Sequence, residues 1–155
     1  MRKLERQIDD PGELEEILAK GKYVSIALCR DNEPYIVTLS YGYDKSGKAL
    51  YFHTALEGLK LEFIKQNPGA CATVIDDKGY QMNECAHEYR SVVLFGRMSV
   101  VEAIEEKMHG MEVLLNHLEE NPGVVKEKSL KNESVYARMS ILKMEITEMS
   151  GKKGR

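Results

Sequence analysis

Apolar residues recur every three or four positions and then every second position along the first thirty residues. Asp10 is followed by Pro11 and, three residues after the cap position, by the acidic Glu13, a combination typical of a helix start. Over residues 22–30 apolar and small or polar residues alternate, which predicts a half-buried strand. The pattern therefore predicts a helix that ends at Gly21, followed by the first strand of a sheet.

Further segments show the patterns of strands and helices. The predicted strands cover residues 22–30, 35–43, 49–53, 70–75, 91–101 and 135–146, and later helices cover residues 55–66 and 102–120. Turns are expected at residues 31–34, 44–48 and 76–79, and a charged loop after residue 123. Short turns cannot support parallel crossovers, so the first three strands must be antiparallel neighbours. Residues 1–155 therefore predict one mainly β (α+β) domain, a six-stranded antiparallel barrel with peripheral helices.

Composition and charge narrow the class of protein. A net charge of −3 gives the chain no general attraction to nucleic acid or to an anionic membrane. The N-terminus has no apolar signal region, and no apolar run approaches the length of a membrane span. The three cysteines form no CxxC pair, which is typical of reduced thiols. We expect a cytoplasmic protein with Cys29 and Cys71 buried, and with the basic residues 152–155 as a solvated terminus.

The segment around residues 50–60 is the best candidate for a binding site. Thr54 and Glu57 have the spacing of a capping box, so a helix is expected to begin directly after a strand. The start of such a helix presents free N–H groups and attracts anions. Gly58 has no side chain to obstruct a ligand, and Lys60 adds a positive charge. This pattern predicts a phosphate cradle, or alternatively a capped helix with one solvated lysine.

Several stretches in this order resemble the pyridoxamine 5′-phosphate oxidase-like flavoproteins, most closely their nitroimidazole-resistance branch. The similarity extends over nearly the whole chain, and the ordered set of stretches is more specific than any one of them. The matching stretches are residues 33–39 (EPYIVTL), residues 51–55 (YFHTA) with Gly58 and Lys60, Asn67-Pro68, and residues 89–96 (YRSVVLFG).

This resemblance implies a split barrel that forms a homodimer and binds FMN, or FAD, in two clefts between the subunits. It places residues 36–38 along the flavin ring and residues 52–54 beside the ring and ribityl chain. It places Lys60 at the phosphate and residues 89–92 across the cleft, from the same chain or from the partner. The residues it assigns to the cofactor are Ile36, Val37, Thr38, Phe52, His53, Thr54, Gly58, Lys60, Tyr89, Ser91 and Val92.

The sequence departs from the family pattern next to the phosphate cradle. Leu59 stands where the family usually has a basic residue, and Lys152, Lys153 or Arg155 are the candidates to replace that contact. His53 is the candidate catalytic residue, because an imidazole can change its charge near neutral pH. The alternative for His53 is a strand-end histidine bonded to the backbone.

The implied activity is FMN-dependent reduction of a small substrate, for example a nitro-aromatic compound. Oxidation of pyridoxamine 5′-phosphate itself is not expected, because no second basic cluster is available for that phosphate. The alternatives are a deazaflavin reductase on the same barrel, which would need a longer basic groove, a flavin carrier without turnover, a haem protein with His53 or His87 as iron ligand, and a scaffold without cofactor. No metal site is expected, because Cys85 and His87 lack a second ligand pair at zinc spacing. The segment that holds these two residues could instead cover the flavin edge.

Overall fold

One antiparallel sheet curls around an apolar core in the computed structural model, which describes residues 4–154. The strands are β1 (Gln7–Ile8), β2 (Tyr23–Arg30), β3 (Glu33–Ser40), β4 (Gly42–Asp44), β5 (Ala49–Thr54), β6 (Gly69–Gln81), β7 (Ala86–Val100) and β8 (Ser140–Lys153). The α-helices are α1 (Pro11–Lys20), α2 (Leu59–Gln66), α3 (Ile104–Leu118), α4 (Pro122–Ser129) and α5 (Glu133–Ala137). No helix among the described residues is long and apolar enough to cross a membrane.

The strand order in the sheet is β3-β2-β6-β7-β8-β5-β4, with β1 on the free edge of β8. The two ends of this order approach each other, because β3 lies near β5, but the two strands do not pair. The sheet is therefore a barrel that is open along one side. This architecture confirms the predicted mainly β split barrel.

Alternation along the strands separates the core from the outer face of the sheet. On β2, the side chains of Val24, Ile26 and Leu28 point inward and are buried, while the residues between them are not. The main core inside the barrel also receives Leu18 from α1 and Phe63 from α2. A smaller core lies between the helices α3 and α5 and the strands β5 and β8.

The sheet has eight strands rather than the six predicted. The predicted strand at residues 35–43 is two strands, because Tyr41 interrupts it and belongs to neither. The side chain of Tyr41 is fully buried, and its hydroxyl donates a hydrogen bond to the carbonyl of Leu18 at 2.6 Å. Desolvation by burial raises the pKa of this hydroxyl. The additional two-residue strand β1 has no pattern long enough to be detected in the sequence.

The turn predicted at residues 76–79 is wrong. The strand β6 continues through these residues and stays paired with β7, with an irregular register between Asp77 and Gly79. Gly79 has φ 101°, and its N–H donates to the carboxylate of Asp77 at 2.8 Å. The residues that predicted a turn therefore form a bulge within the strand. The actual turn occupies residues 82–85, where Asn83 and Cys85 have positive φ values.

The C-terminal part of the chain also differs from the prediction. The segment expected to be a charged loop after residue 123 contains the helices α4 and α5. Their apolar patterns are too weak to predict helices from the sequence. The last strand begins at Ser140 rather than at residue 135 and continues to Lys153. The backbone of Lys152 and Lys153 therefore does not form a free terminus but pairs with Ser91 and Arg90 of β7, while both side chains are exposed. Arg155 lies outside the described residues.

Candidate functional site

The strand β3 forms one end of the sheet and carries residues 36–38. Ile36 and Thr38 face outward, with Ile36 69% exposed, while Val37 packs against the core. Within residues 4–154, β2 is the only strand that pairs with β3. The N–H and C=O groups on the far edge of β3 thus have no sheet partner and can bind a ligand with polar atoms along its rim.

The strand β5 lies near β3 across the open side of the barrel. The side chain of Phe52 is fully buried in the core, whereas His53 is exposed and Thr54 is partly exposed. The backbone of His53 pairs with Ile141 of β8. Among the described residues no hydrogen bond or ion pair holds its imidazole, so the ring is available to a ligand.

The helix α2 begins four residues later than predicted. Its N-cap is Gly58, and no side chain hydrogen-bonds to the first turn, so the predicted capping box of Thr54 and Glu57 does not form. Gly58 has φ 144°, a conformation that favours glycine, which explains why the chain turns into the helix here. The carbonyl of Gly58 accepts from the N–H of Leu61 at 2.9 Å. The earlier N–H groups of the helix stay available at its surface.

Lys60 supplies the positive charge at this helix start. A Cβ added to Gly58 would meet only the Nζ of Lys60, at 3.9 Å, so the space over the helix start is open and has an ammonium group at its side. The side chain of Lys60 is partly exposed. The start of α2 follows the end of β5 after four residues, and β5 lies near β3. These three elements carry the residues predicted between positions 36 and 60.

The remaining predicted residues lie elsewhere in the same chain. The register places Ile36, Ala27, Cys71 and Phe95 side by side across β3, β2, β6 and β7. Three strand spacings amount to about 14 Å. Ser91 lies a further four residues along β7, which adds about 13 Å. One chain therefore does not bring Tyr89, Ser91 and Val92 to the edge of β3.

The side chains of this second group have structural contacts of their own. Val92 is fully buried in the barrel core. The hydroxyl of Ser91 lies 3.5 Å from the carbonyl of Lys152, and the Tyr89 ring lies 5.8 Å from the Nζ of Lys152. Between them, Arg90 binds Asp76 at 2.7 Å and also contacts Glu13 and Glu16 of α1. The Asp76 hydrogen bond is the main factor that raises the pKa of Arg90.

Lys152 and Lys153 cannot replace the missing basic residue at position 59 within one chain. They lie at the far end of β8, ten residues beyond Leu142, which pairs with Phe52. Ten residues of strand correspond to about 33 Å. The Nζ of Lys153 lies instead 3.9 Å from a carboxylate oxygen of Glu13.

The outer face of the sheet carries a group of residues that the sequence reasoning missed. Cys29 is exposed and Cys71 is partly exposed, so the prediction that both are buried is wrong. The alternation on β2 already contained this signal, because Cys29 has the same parity as Ser25 and Ala27. A shallow cavity of about 160 Å³ opens on this face. Its lining residues are Ser25, Ala27, Ile36, Cys71, Ala72, Thr73 and Val93.

The residues Cys85 and His87 lie in or near the turn between β6 and β7. Nε2 of His87 lies 2.7 Å from a carboxylate oxygen of Asp77, and this hydrogen bond lowers the pKa of Asp77. No group of three or more His, Cys, Asp or Glu side chains within residues 4–154 is arranged to hold a metal ion.

Comparison with known protein families gives a match over most of the chain. The family described as pyridoxamine 5′-phosphate oxidase matches residues 10–153. An uncharacterized protein of Rhizobium meliloti is 28% identical over 106 residues, which cover 66% of this chain and 64% of that protein. The chain thus matches slightly less than two thirds of the length of this relative.

Several solved structures share the fold. A Bacteroides thetaiotaomicron protein provisionally assigned to 5-nitroimidazole antibiotic resistance has a TM-score of 0.80 at 22% identity, over 96% of this chain and 86% of its own. The FAD and heme binding protein of Mycobacterium smegmatis has a TM-score of 0.78 at 22% identity, over 97% and 74%. An FAD-binding protein of Mesorhizobium loti has a TM-score of 0.69 at 22% identity, over 97% and 96%.

Proposed function

Because this chain belongs to the pyridoxamine 5′-phosphate oxidase family, we propose that it is a flavoprotein that binds FMN between two copies of the chain and reduces a small oxidising substrate. The observation that carries this proposal is the start of α2, which has no side-chain cap, has Lys60 beside it, and closely follows β5, the strand that lies near β3. Together these elements fit a cofactor with an anionic end and a planar end.

The phosphate of the flavin would bind at the start of α2. The free N–H groups of the first turn and the positive end of the helix dipole favour an anion there. Gly58 leaves room for a phosphate, and the ammonium group of Lys60 can form a charge-assisted hydrogen bond with it. Leu59 contributes no charge, so Lys60 is the one basic side chain of this cradle within the first two residues of the helix.

The ring of the flavin would lie along the edge of β3. Backbone groups of residues 36–38 can bind the polar rim of the ring, and the exposed side chain of Ile36 can pack on it. Thr54 lies between the ring and the phosphate positions. The bound flavin supplies electron and hydride transfer, while the chain supplies orientation and exclusion of water. His53 can donate or accept a proton at its exposed imidazole.

The outer face of the sheet supports a homodimer. Ile36, Ile75 and Phe95 are 69%, 59% and 45% exposed, which is unusual for large apolar side chains on one face of a monomer. Ile36 and Phe95 line the shallow depressions over Ala27 and Cys71, and Ile75 lies farther along β6. In a two-fold symmetric dimer the projecting side chains of each copy could fill the cavity of the other. Such a dimer would also bring the β7 residues of one chain toward the β3 edge of its partner.

The proposal differs from its alternatives in two respects. These are the flavin that binds, FMN or FAD, and the role of the protein, enzyme or carrier. Two structures that share this fold are described as binding FAD, and one of them also binds haem. An FAD molecule would need room for its adenosine diphosphate beyond the start of α2, where Leu56 and Leu59 are exposed. We expect FMN, because the cradle offers a single lysine at a single helix start.

An absorption spectrum of the purified protein, taken before and after titration with FMN, tests the proposal. We expect a flavin absorption band at about 450 nm, the molar mass of a dimer in solution, and oxidation of NADH or NADPH when a nitro-aromatic compound is added. A Soret band would favour the haem alternative instead. Bound flavin without turnover of any donor and acceptor pair would indicate a carrier. A colourless protein that does not bind FMN would contradict the proposal.

A further inference from the structure

The first turn of α2 holds an acidic residue close to the position proposed for the phosphate. Glu62 lies four residues after the N-cap Gly58, which is about 6 Å along the helix axis and on the same face of the helix. A carboxylate at this position interacts favourably with the helix dipole but repels a bound phosphate. An anion site at this helix start therefore needs a positive charge that offsets the charge of Glu62.

Arg30, the last residue of β2, supplies that charge. Its Nη1 lies 3.4 Å from Oε2 of Glu62, and its Nε lies 3.4 Å from Oε2 of Glu33. The side chains of Glu62 and Glu33 are 65% and 61% exposed, whereas the side chain of Arg30 is only 25% exposed. The guanidinium is therefore the better-shielded member of both ion pairs.

Packing against α2 holds Arg30 at this position. Its Cζ lies 4.3 Å from the centre of the Phe63 ring, and the same ring lies 5.0 Å from the ring of Tyr35, measured between the centres. One turn farther along α2, Nε2 of Gln66 donates to a carboxylate oxygen of Asp31 at 2.7 Å. The connection between β2 and β3 thus contacts α2 at two successive turns. A guanidinium stacked in this way keeps its charge beside the first turn of the helix.

We propose that Arg30 offsets the charge of Glu62 and thereby sets the affinity of the α2 start for the flavin phosphate. This inference rests on the proposed function, because it concerns the phosphate of the same flavin. Arg30 is a positioning residue, because it acts through Glu62 on the electrostatic potential at the helix start. Lys60 is the side chain that binds the phosphate directly.

Three variants separate this electrostatic role from a structural one. Arg30→Gln leaves the charge of Glu62 unopposed and should raise the dissociation constant for FMN about three- to tenfold at low ionic strength. Glu62→Gln should lower the dissociation constant, because Arg30 then acts without an opposite charge from α2. The double variant should bind FMN as the unmodified protein does, because the two electrostatic effects cancel.

Riboflavin, which lacks the phosphate group, shows whether the effect acts at the phosphate. We expect the affinity for riboflavin to stay nearly constant in all three variants. The change in FMN affinity should diminish as the salt concentration rises from about 0.02 M to about 0.5 M, because salt screens charges near the surface.

Lys126→Gln is the matched control. Lys126 of α4 forms an ion pair with Glu112 of α3, with 2.5 Å between Nζ and Oε2, so this variant also removes the cation of an ion pair. It should leave FMN affinity unchanged. Denaturation curves without FMN measure any loss of folding stability separately. If loss of the Phe63 stack prevents Arg30→Gln from folding, the exposed Glu62 still allows Glu62→Gln to decide the question.

Several results would overturn the inference. If Arg30→Gln and Glu62→Gln both weaken FMN binding and the double variant resembles either one, the pair holds the helix in place and its charges do not set the affinity. Equal weakening of riboflavin and FMN would place the effect away from the phosphate. If the unmodified protein binds neither flavin, the proposed function falls together with the inference. Normal FMN binding by the unmodified protein combined with either of the first two results overturns the role of Arg30 alone.

Discussion

The helices α1 and α2 begin in opposite ways. At the start of α1, the carboxylate of Asp10 accepts a hydrogen bond from the N–H of Gly12 at 3.0 Å, and Pro11 occupies the first helical position. At the start of α2, Gly58 occupies the cap position and no side chain hydrogen-bonds to the first turn. Glu13 lies in the first turn of α1, whereas the first turn of α2 carries the basic Lys60 as well as the acidic Glu62.

This difference separates a helix start used for stability from one suited to a ligand. A side-chain cap satisfies a helix donor within the chain and leaves less of the positive helix end for an anion. The glycine at the start of α2 gives up that stabilisation and keeps the donors accessible. Variants at the two starts should therefore change different quantities, folding stability at α1 and flavin affinity at α2.

The largest effect is expected for Lys60→Ala. Loss of a hydrogen bond between charged groups costs about 1.5–3 kcal/mol, which corresponds to an increase of roughly 10- to 150-fold in the dissociation constant for FMN. The free energy of unfolding without FMN should stay nearly constant, because the side chain is partly exposed and forms no ion pair in the described chain. Lys65→Ala, at the other end of α2, is the control. Equal FMN binding by both variants would remove Lys60 from the phosphate site.

A smaller effect, on stability rather than on binding, is expected for Asp10→Ala. Removal of a side-chain cap lowers the free energy of unfolding by about 1 kcal/mol. Chemical denaturation measures this loss, and FMN affinity should be unchanged. Asp9→Ala is the control, because Asp9 only accepts an exposed hydrogen bond from Gln7. A loss of FMN affinity in the Asp10 variant would show that the two helix starts are not independent.

At the C-terminal end of α1, contacts of His117 are expected to make the folding stability depend on pH. His117 donates from Nε2 to the carbonyl of Gly21 at 2.6 Å, and its Nδ1 accepts from the N–H of Tyr43 at 3.4 Å. Desolvation by burial lowers the pKa of His117, and the charge of Lys22 lowers it further, while the hydrogen bond to Gly21 opposes the shift. The neutral imidazole therefore belongs to the folded state.

Because the folded pKa of His117 lies below that of the unfolded chain, protonation favours unfolding. This contribution to stability is complete above the unfolded pKa of about 6.5 and is lost as the pH falls through the folded value. Denaturation curves between pH 7.5 and about pH 5 should show a decline that is smaller in His117→Gln. An identical pH dependence in both proteins would show that His117 does not titrate in this range.

The sequence predicts the fold better than it predicts the site, for identifiable reasons. Alternation in β2 and the cap at Asp10 are local signals, and the structure confirms both. The turn signal near Asp77 is also local, but pairing of β6 with β7 over twelve residue pairs overrides it. Lys152 and Lys153 have the composition of a free terminus, and only long-range pairing with β7 places them in the sheet.

The candidate site depends even more on long-range placement. Residues 36–38, 52–54, Gly58 and Lys60 are predicted on separate elements, and only the curl of the sheet brings those elements together. The separation of Ser91 from Ile36 follows from the strand order, which no local pattern contains. The proposed sharing of the site between two chains likewise has no signal in the pattern of one chain.

The smallest effect is expected for Glu57→Ala, and it tests the local signal directly. If Thr54 and Glu57 formed a capping box, this substitution would lower the free energy of unfolding by about 0.5–2 kcal/mol. Because α2 begins at Leu59 and Glu57 is exposed before it, we expect the stability to change by less than about 0.5 kcal/mol. FMN affinity should stay equal or rise slightly, since a negative charge near the phosphate is removed. A clear loss of stability would show that the helix begins at Ala55, and the donors of α2 would then be unavailable to a phosphate.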